Sequence, residues 1–365
     1  MRKLLFPLVI GIFSAVISCK NEMKKDNITQ SAEDTKLFNT AKSLFKQIAD
    51  VANEDGTRNL SPDMIELGKT LYYDTKLSPK GNNSCNSCHN LSVYGVDNLP
   101  FSPGDEGKLG GRNSPTTLNA AFHSTQFWDG RAKDVEEQAG GPILNPLEMN
   151  MPNEKFVVDK LSKVSYYPEL FKKAFPDDKK PISFRNIQVA IGAFERTLTT
   201  PSSFDKYLAG NPNALNTQQK KGLDLFIKTG CISCHNGTAI GGTLFQKFGI
   251  FGDYRTFTKS GSSDKGLFDL NKNEANIDFF KVPSLRNIEH TYPYFHDGSV
   301  KDLETAIDIM AKAQLNKTLN TEEINNIAEF LKSLTGEVSE YARTPPAILG
   351  DDIIPANKRT TAINK

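Results

Sequence analysis

Two five-residue strings in this chain share the pattern Cys-x-x-Cys-His. They are Cys85-Asn86-Ser87-Cys88-His89 and Cys231-Ile232-Ser233-Cys234-His235. Two thiols at this spacing can reach the two vinyl groups of one porphyrin, and the adjacent histidine can bind the iron as an axial ligand. Zinc binding is a remote alternative, because each cysteine pair is followed at once by histidine. The strings predict two covalently bound haem c groups, with their irons bound by His89 and His235.

The fifth cysteine, Cys19, ends an N-terminal segment in which Arg2 and Lys3 precede an apolar run from Leu4 to Ile17. This arrangement is typical of a signal peptide, and the run is shorter than the ~20 apolar residues of a transmembrane helix. Its end resembles a bacterial lipoprotein signal, in which the cysteine carries acyl chains. An ordinary signal peptide with an incidental cysteine is the alternative. We therefore expect lipidation at Cys19 and a lipid-anchored protein on the periplasmic side of the cell envelope. No cysteine remains for a disulfide.

The length and net charge of the chain limit the number of domains and the classes of binding partner. The chain has 365 residues, with 44 Lys+Arg against 43 Asp+Glu. Near-neutrality gives no indication of nucleic-acid binding, so a redox partner would have to use local patches. The mature length exceeds the usual limit of one core, about 250–300 residues, which predicts two domains. We place the signal peptide at 1–19, a tether and N-terminal helix at 20–55, two haem domains at 56–200 and 201–345, and a tail at 346–365.

Helical periodicity predicts a mostly α fold of two cytochrome c-like haem domains packed around an inter-haem interface. An amphipathic segment precedes each haem string, at 66–72 and at 221–226, which is an internal near-repeat. The first helix has a clear start, with Ser61 as N-cap and Pro62 in its first turn. A C-terminal helix is expected to begin at Thr321. Apolar stripes at helical spacing are Leu37/Ala41/Leu44/Ile48, Met64/Leu67/Leu71, Ile187/Ile191/Phe194/Leu198 and Ile324/Ile327/Ala328/Leu331/Leu334.

The second axial ligands must come from a short inventory. The histidines outside the two strings are His123, His290 and His296, and the methionines that follow the first string are Met149, Met151 and Met310. Met310 lies on the apolar side of a helix predicted over 299–310. For an arbitrary methionine the core is the usual place, but methionine opposite histidine is a standard ligand pair that raises a haem potential.

The chain resembles bacterial di-haem cytochrome c peroxidases from about Leu60 to Gly336. The resemblance is carried by motifs in one order: Cys85–His89, Arg112-Asn113-Ser114-Pro115-Thr116, Phe127-Trp128-Asp129-Gly130-Arg131, Asn145-Pro146-Leu147-Glu148-Met149, Cys231–His235 and Tyr292-Pro293-Tyr294-Phe295-His296-Asp297-Gly298. It implies reduction of hydrogen peroxide by electrons from a small cytochrome c or cupredoxin, and a homodimer.

The resemblance also implies residue roles. His89 would hold the low-potential, peroxide-reducing haem, and His235 with Met310 the high-potential haem that receives electrons. Glu148 and Gln138 match the catalytic distal pair, and Trp128 matches the aromatic residue between the haems. Asn113, with the backbone carbonyls of Thr291 and Pro293, matches a calcium site.

The chemistry of these residues agrees with such roles. One carboxylate beside an apolar haem face can move a proton between peroxide oxygens, and burial would hold its pKa nearer neutrality. Without the resemblance, Glu148 would be a solvated loop residue, Gln138 a surface helix residue and Trp128 a packing residue. Amide and carbonyl oxygens suit calcium, with waters completing the shell. We expect His296 beside the high-potential haem, where it does not bind the iron.

One departure from the family concerns the loop after the first string. Many members carry a histidine there that binds the peroxidatic iron until reduction releases it, but between Asn90 and Phe122 this chain has no histidine or methionine, and Asp105 stands near the corresponding position. We therefore expect a vacant or water-bound site and activity without prior reduction, unless His123, Met149 or Met151 supplies a ligand. A pure electron-transfer protein and a di-haem oxidase of protein or organic substrates remain alternatives. The relative that matures tryptophan-derived quinones has tyrosine where Met310 stands.

Overall fold

The computed structural model describes residues 32–48 and 60–352. The predicted signal peptide, Cys19, most of the tether and the end of the tail lie outside these ranges. Helices dominate the described chain, as predicted, and the described residues form separate buried cores in its two halves. None of the helices within the described ranges is both long and apolar enough to cross a membrane.

The described α-helices are α1 (Ala32–Leu44), α2 (Pro62–Tyr73), α3 (Cys85–Cys88), α4 (Val135–Leu144), α5 (Glu154–Leu161), α6 (Tyr167–Ala174), α7 (Phe184–Glu195), α8 (Ser203–Leu208), α9 (Thr217–Thr229), α10 (Tyr254–Thr258), α11 (Leu267–Asn271), α12 (Leu303–Leu315), α13 (Thr321–Lys332) and α14 (Glu340–Arg343). Short 3₁₀ turns lie at Thr75–Leu77, Leu91–Val93, Ala120–Phe122, Pro212–Ala214, Cys231–Ser233, Glu274–Asn276, Ile288–His290 and Ala347–Asp352. Two strands, β1 (Phe245–Lys247) and β2 (Phe279–Lys281), pair antiparallel with Phe245 opposite Lys281.

Helix starts follow the capping chemistry of the sequence. Helix α2 begins as predicted, with the Ser61 side chain accepting a hydrogen bond from the Met64 N–H. Helix α13 also begins at the predicted residue, Thr321. The prediction of a helix from 299 was wrong, because α12 begins at Leu303. The Asp302 side chain accepts from the backbone N–H of Thr305 and so fixes the start of the helix four residues further on.

The near-repeat in the sequence corresponds to the same helix crossing in both domains. Helix α2 crosses α7 at Gly68, where a Cβ atom would lie 1.8 Å from the Ala190 carbonyl oxygen. Helix α9 crosses α13 at Gly222, where a Cβ atom would lie 1.8 Å from the Asn326 carbonyl oxygen. Only glycine permits backbones to approach this closely. The two crossings place the helix that precedes each haem string.

We expect Gly222→Ala to destabilise the protein by at least about 1–3 kcal/mol, because the added methyl group forces the backbones of α9 and α13 apart. Thermal unfolding of the haem-loaded protein measures the effect as a lowered Tm. Gly261→Ala is the matched control, since a Cβ atom at Gly261 would meet no other atom within 4 Å and the φ of this residue lies outside the left-handed region. Equal Tm values for the two variants would contradict the role of the crossing.

Helix α1 packs against the second domain, although it precedes the first along the chain. Ala41 and Phe45 are buried in the same cluster as Phe204, Tyr207 and further residues of the second domain. The Gly237 N–H donates to the Leu44 carbonyl at 3.0 Å, just beyond the second haem string. The N-terminal helix therefore helps to fix the second haem loop.

The predicted stripes line the cores. In the first domain, Leu67, Leu71, Ile187 and Ile191 are fully buried in one cluster. The second core contains a larger set, which includes Leu223, Phe226, Leu303, Ile307, Ile327, Leu331 and Leu334. These cores hold the helices rigidly around the two haem strings.

Candidate functional site

The first Cys-x-x-Cys-His string borders a cavity of about 1020 Å³. Its lining includes Cys85 and Cys88 at the two ends of α3, together with His89. Small-molecule and cofactor sites commonly have volumes of about 300–1,000 Å³. The cavity is therefore large enough for a bulky cofactor, and the thiols and imidazole of one string meet in its wall.

His89 has the environment of an axial ligand. Its Nδ1 atom is buried and has no hydrogen-bond partner among the described residues, and its Nε2 atom lies 3.5 Å from the Ser114 hydroxyl. Burial lowers the pKa of His89, which favours the neutral imidazole that binds metals. The Tyr72 hydroxyl donates to the His89 carbonyl at 2.6 Å and anchors the backbone at this residue. A buried, neutral imidazole with only one long polar contact fits the predicted haem iron.

Gln138 and Glu148 line the same cavity. Gln138 belongs to α4, and Glu148 lies in the turn that follows this helix. The Asn145 amide donates to the Glu148 Oε1 atom at 2.9 Å. Burial raises the pKa of Glu148, while the Arg131 charge and the Asn145 hydrogen bond partly oppose this rise. The cavity therefore holds one carboxyl suited to proton transfer and one amide suited to hydrogen bonding.

The Asp105 side chain is directed away from this cavity. It is 4% exposed, and its oxygens accept hydrogen bonds from the backbone N–H groups of Lys80 and Asn82. Its own N–H donates to the Glu148 carbonyl at 2.7 Å. Next to it, Gly104 lies so close to Leu147 that a Cβ atom would stand 2.2 Å from the Leu147 carbonyl oxygen. The loop residues that line the cavity include Ser102, Pro103 and Gly104 but not Asp105.

Of the three alternative ligands, two line the cavity. His123 does so, but its Nδ1 atom accepts a hydrogen bond from the Lys281 ammonium at 3.1 Å. Met149 also lines the cavity and is packed in the core of the first domain. Met151 is buried in that core and does not line the cavity.

The second string borders two adjoining cavities of about 160 and 100 Å³. Cys231, His235 and Met310 line both of them. The His235 Nδ1 atom lies 3.2 Å from the Ile240 carbonyl oxygen, a contact that leaves Nε2 for a metal. Burial lowers the pKa of His235 to about 4, so the ring is neutral. The donor set, more than the cavity volume, fits a haem with histidine and methionine ligands.

His296 lies beside the second string. It is 2% exposed and lines the smaller cavity together with His235 and Met310. Its ring stacks on Phe280 at 4.0 Å between centroids, and its Nε2 atom lies 3.2 Å from the Tyr254 hydroxyl. These contacts hold His296 in a fixed orientation.

Trp128 lines the cavity of the first string and both cavities of the second. Its Nε1–H donates to the Asn113 carbonyl oxygen at 2.9 Å, and its own carbonyl accepts from the Lys281 N–H at 2.8 Å. Trp128 is therefore part of the wall between the two predicted haem sites.

The three residues predicted to bind calcium line one cavity, the larger one beside the second string. The Asn113 amide nitrogen donates to the Leu99 carbonyl at 2.9 Å, which leaves the oxygen of this amide as the donor for a cation. No cluster of three His, Cys, Asp or Glu side chains suited to a metal occurs in the ranges that the structure describes. A cation here would depend on Asn113 and on the carbonyls of Thr291 and Pro293.

Sequence reasoning missed an ionic cluster at the same cavity as the first string. Arg112 forms ion pairs with Asp129 and Asp264, each at 2.6 Å, and so ties the two domains together. Arg112 belongs to a motif that carries the family resemblance, but Asp264 lies 152 residues further along the chain. Glu195 is also buried in the cavity wall, where burial and the Glu136 charge raise its pKa to about 8. In the sequence, Glu195 stands near the end of a helical stripe, and no motif there indicates that its carboxyl is buried in the cavity wall.

Comparisons with known proteins show what this chain is similar to. A family model described as di-haem cytochrome c peroxidase matches residues 62–213, and a cytochrome c model matches residues 219–335. The chain is 48% identical over 281 residues to a cytochrome c551 peroxidase of Nitrosomonas europaea, covering 76% of this chain and 82% of that protein. It is 44% identical over 310 residues to a cytochrome c551 peroxidase of Pseudomonas aeruginosa, covering 85% and 89%.

A solved structure shows the same fold. It is a MauG-like protein associated with microbial copper homeostasis, with 30% sequence identity and a TM-score of 0.69. The match covers 78% of this chain and 93% of that one.

Proposed function

The chain belongs to the di-haem cytochrome c peroxidase family, and from this premise we propose that it reduces hydrogen peroxide at the His89 site without needing prior reduction. Like its curated relatives, it is an oxidoreductase that acts on peroxide and carries two covalently bound haem c groups. The net reaction joins hydrogen peroxide, two electrons and two protons into two water molecules. Two reduced donor molecules each supply one electron.

The bound haem iron supplies the site where peroxide binds and the electrons that cleave its O–O bond. Glu148, as a carboxylate, would accept a proton from one oxygen of the bound peroxide and deliver it to the other oxygen, which would leave as water. Gln138 holds the outer oxygen by a hydrogen bond but cannot take the proton itself. Their joint position in the cavity wall and the raised pKa of Glu148 support these roles.

Electrons enter at the second site. His235 and Met310 would bind the second iron, and methionine in that pair would favour a high reduction potential. Trp128 lies in the wall between the two sites, where its indole N–H donates to the Asn113 carbonyl and its backbone carbonyl accepts from the Lys281 N–H. This position supports a role for the indole in coupling the two haems. The electron donor is a small reduced cytochrome c or cupredoxin. This donor docks on the second domain.

The orientation of Asp105 is the observation that supports activity without prior reduction. Its side chain is held by the backbone of Lys80 and Asn82, and the adjacent Gly104 packs on Leu147. His123, the remaining histidine of the wall, is held by Lys281. Met149, the other alternative ligand in the wall, is packed in the core of the first domain. A further iron ligand from Asp105, His123 or Met149 would require one of these arrangements to break, so we infer that the first iron would keep a vacant or water-bound position when oxidised.

Other assignments belong to the same proposal. One calcium ion would bind the Asn113 side chain and the carbonyls of Thr291 and Pro293, with waters completing the shell. Lipidation of Cys19 would hold the enzyme at the periplasmic side of the envelope, because several acyl chains anchor a protein where one is marginal. A homodimer is the assembly implied by the family.

The test compares fully oxidised enzyme with half-reduced enzyme, each mixed with peroxide and reduced donor in a stopped-flow instrument. We expect both to turn over at once and at equal rates. A lag that only pre-reduction removes would contradict the proposal. The EPR spectrum of the oxidised enzyme is a second measurement, in which we expect a high-spin signal from the first haem. Low-spin signals from both haems alone would also refute the vacant site.

A further inference from the structure

A buried amine–imidazole pair lies in the wall between the two predicted haem sites. The Lys281 ammonium donates to the His123 Nδ1 atom at 3.1 Å and to the Thr125 carbonyl at 2.9 Å. Both side chains line the cavity of the first string and the larger cavity of the second. The pair joins the domains, because 158 residues separate its members along the chain. Neither residue has a role in the proposed peroxide chemistry.

The contact with Lys281 fixes the tautomer of His123. Because Nδ1 accepts the hydrogen bond, Nε2 carries the proton of the neutral ring. This Nε2 atom is buried and has no hydrogen-bond partner in the described part of the chain. Burial and the Lys281 charge both lower the pKa of His123, so it remains a neutral donor. Gly242 packs so closely on the ring that a Cβ there would lie 2.4 Å from the His123 Cδ2 atom.

Among the described residues, no counter-ion lies at contact distance from the Lys281 ammonium. The residue is 7% exposed, and its hydrogen bonds in the described structure are made to neutral acceptors. The carboxylate of Asp129, which acts on it at longer range, is bound by Arg112 and Arg131. Burial lowers the pKa of Lys281 to about 8. A buried cation is costly unless an anion accompanies it.

We propose that Lys281 and the Nε2–H of His123 bind a propionate carboxylate of a haem c in this wall. A propionate is an anion with two acceptor oxygens, which matches one ammonium and one unpartnered N–H. The inference rests on the two covalent haems that family membership implies and is independent of how peroxide is activated. Because the Lys281 N–H also donates to the Trp128 carbonyl, the bound carboxylate lies beside the residue that couples the sites.

The charge of Lys281 then tunes one haem. A cation near a haem favours the reduced state, which carries less positive charge, and therefore raises the reduction potential. Lys281→Met leaves the propionate charge uncompensated and lowers that potential. Lys281→Arg keeps a cation at this position, so the reduction potential of that haem should change much less. His123→Phe removes only the neutral donor, so we expect a smaller shift at the same haem.

The experiment is a spectroelectrochemical titration of the haem-loaded enzyme and these variants, with the midpoint of each haem followed separately. A lowered midpoint of the first or of the second haem identifies which propionate is bound. Lys160→Met is the matched control, since the Lys160 ammonium donates to the Ser78 carbonyl away from both cavities, and its midpoints should equal those of the unmodified enzyme.

A second readout is the propionate bending region of the resonance Raman spectrum, which follows hydrogen bonding at the carboxylate. If Lys281→Met loads haem poorly, the Raman measurement can still be made on His123→Phe, because that variant keeps Lys281. Unchanged midpoints and unchanged propionate bands in fully loaded Lys281→Met and His123→Phe would overturn the proposal. Neither measurement uses peroxide turnover, so a failure here is distinct from a failure of the proposed function.

Discussion

Replacing Glu148 with glutamine is expected to lower peroxide turnover by about 10²–10⁴-fold, the usual contribution of a general acid–base group. Glutamine keeps the shape and one hydrogen-bonding oxygen but cannot accept a proton from peroxide. Steady-state kinetics with a reduced donor measures the loss. The potentials of both haems should remain close to those of the unmodified enzyme, because the substitution leaves their axial ligands intact.

Gln138→Ala is the comparison for this prediction. Gln138 lines the same cavity but has no group that titrates, so its loss should weaken peroxide positioning without abolishing proton transfer. A smaller defect in Gln138→Ala than in Glu148→Gln would agree with the assigned roles. Full activity in Glu148→Gln would show that another group moves the proton.

The pH dependence of kcat/KM tests the role of Glu148 without replacing this residue. The carboxylate must be ionised to accept a proton, so kcat/KM falls as pH falls through the pKa of Glu148. Burial raises this pKa above the ordinary glutamate value, and the Asn145 hydrogen bond lowers it. Asn145→Ala removes that hydrogen bond and should shift the acid limb to higher pH. An unmoved limb in Asn145→Ala would assign it to a different group.

Replacing Met310 with histidine is expected to abolish efficient electron entry. Methionine opposite histidine raises a haem potential, and axial ligands set potentials over a range of about 0.8 V. We expect the reduction potential of the second haem to fall by on the order of 100 mV or more. Each ~59 mV corresponds to a tenfold change in the equilibrium constant of a one-electron step. Redox titration measures the potential, and stopped-flow mixing with reduced donor measures electron entry.

Met310→Leu separates ligation from packing. Leucine replaces the side chain with one of similar size that cannot bind iron, so the core beside Ala306 and Ile307 remains filled. The second haem should then lose its methionine-ligated spectrum while the Tm changes little. If the spectrum and potential of Met310→Leu were those of the unmodified protein, the ligand would have to come from elsewhere.

Local patterns predicted the helices well because the information lies within a few residues. Ser61 and Pro62 start α2 as expected, and the stripes of Leu67, Leu71 and Ile187 are buried. The error at 299–302 has the same local character, because the capping side chain of Asp302 competes with an earlier start and the periodicity does not show it. Helix α1 is the opposite case, since its own stripe could not reveal that it packs on the second domain.

The sequence by itself predicted two covalent haems, the cysteines that would attach them and the histidines that would bind their irons, because covalent attachment requires a fixed spacing within five residues. Only the tertiary structure decided what surrounds these strings. Asp105 is directed away from the first cavity because backbone N–H groups of a distant loop bind it. Lys281 meets His123 across 158 residues. Such contacts depend on how the two domains pack against each other, and no local sequence pattern encodes this packing. These contacts make the surroundings of the first string different from those of the second.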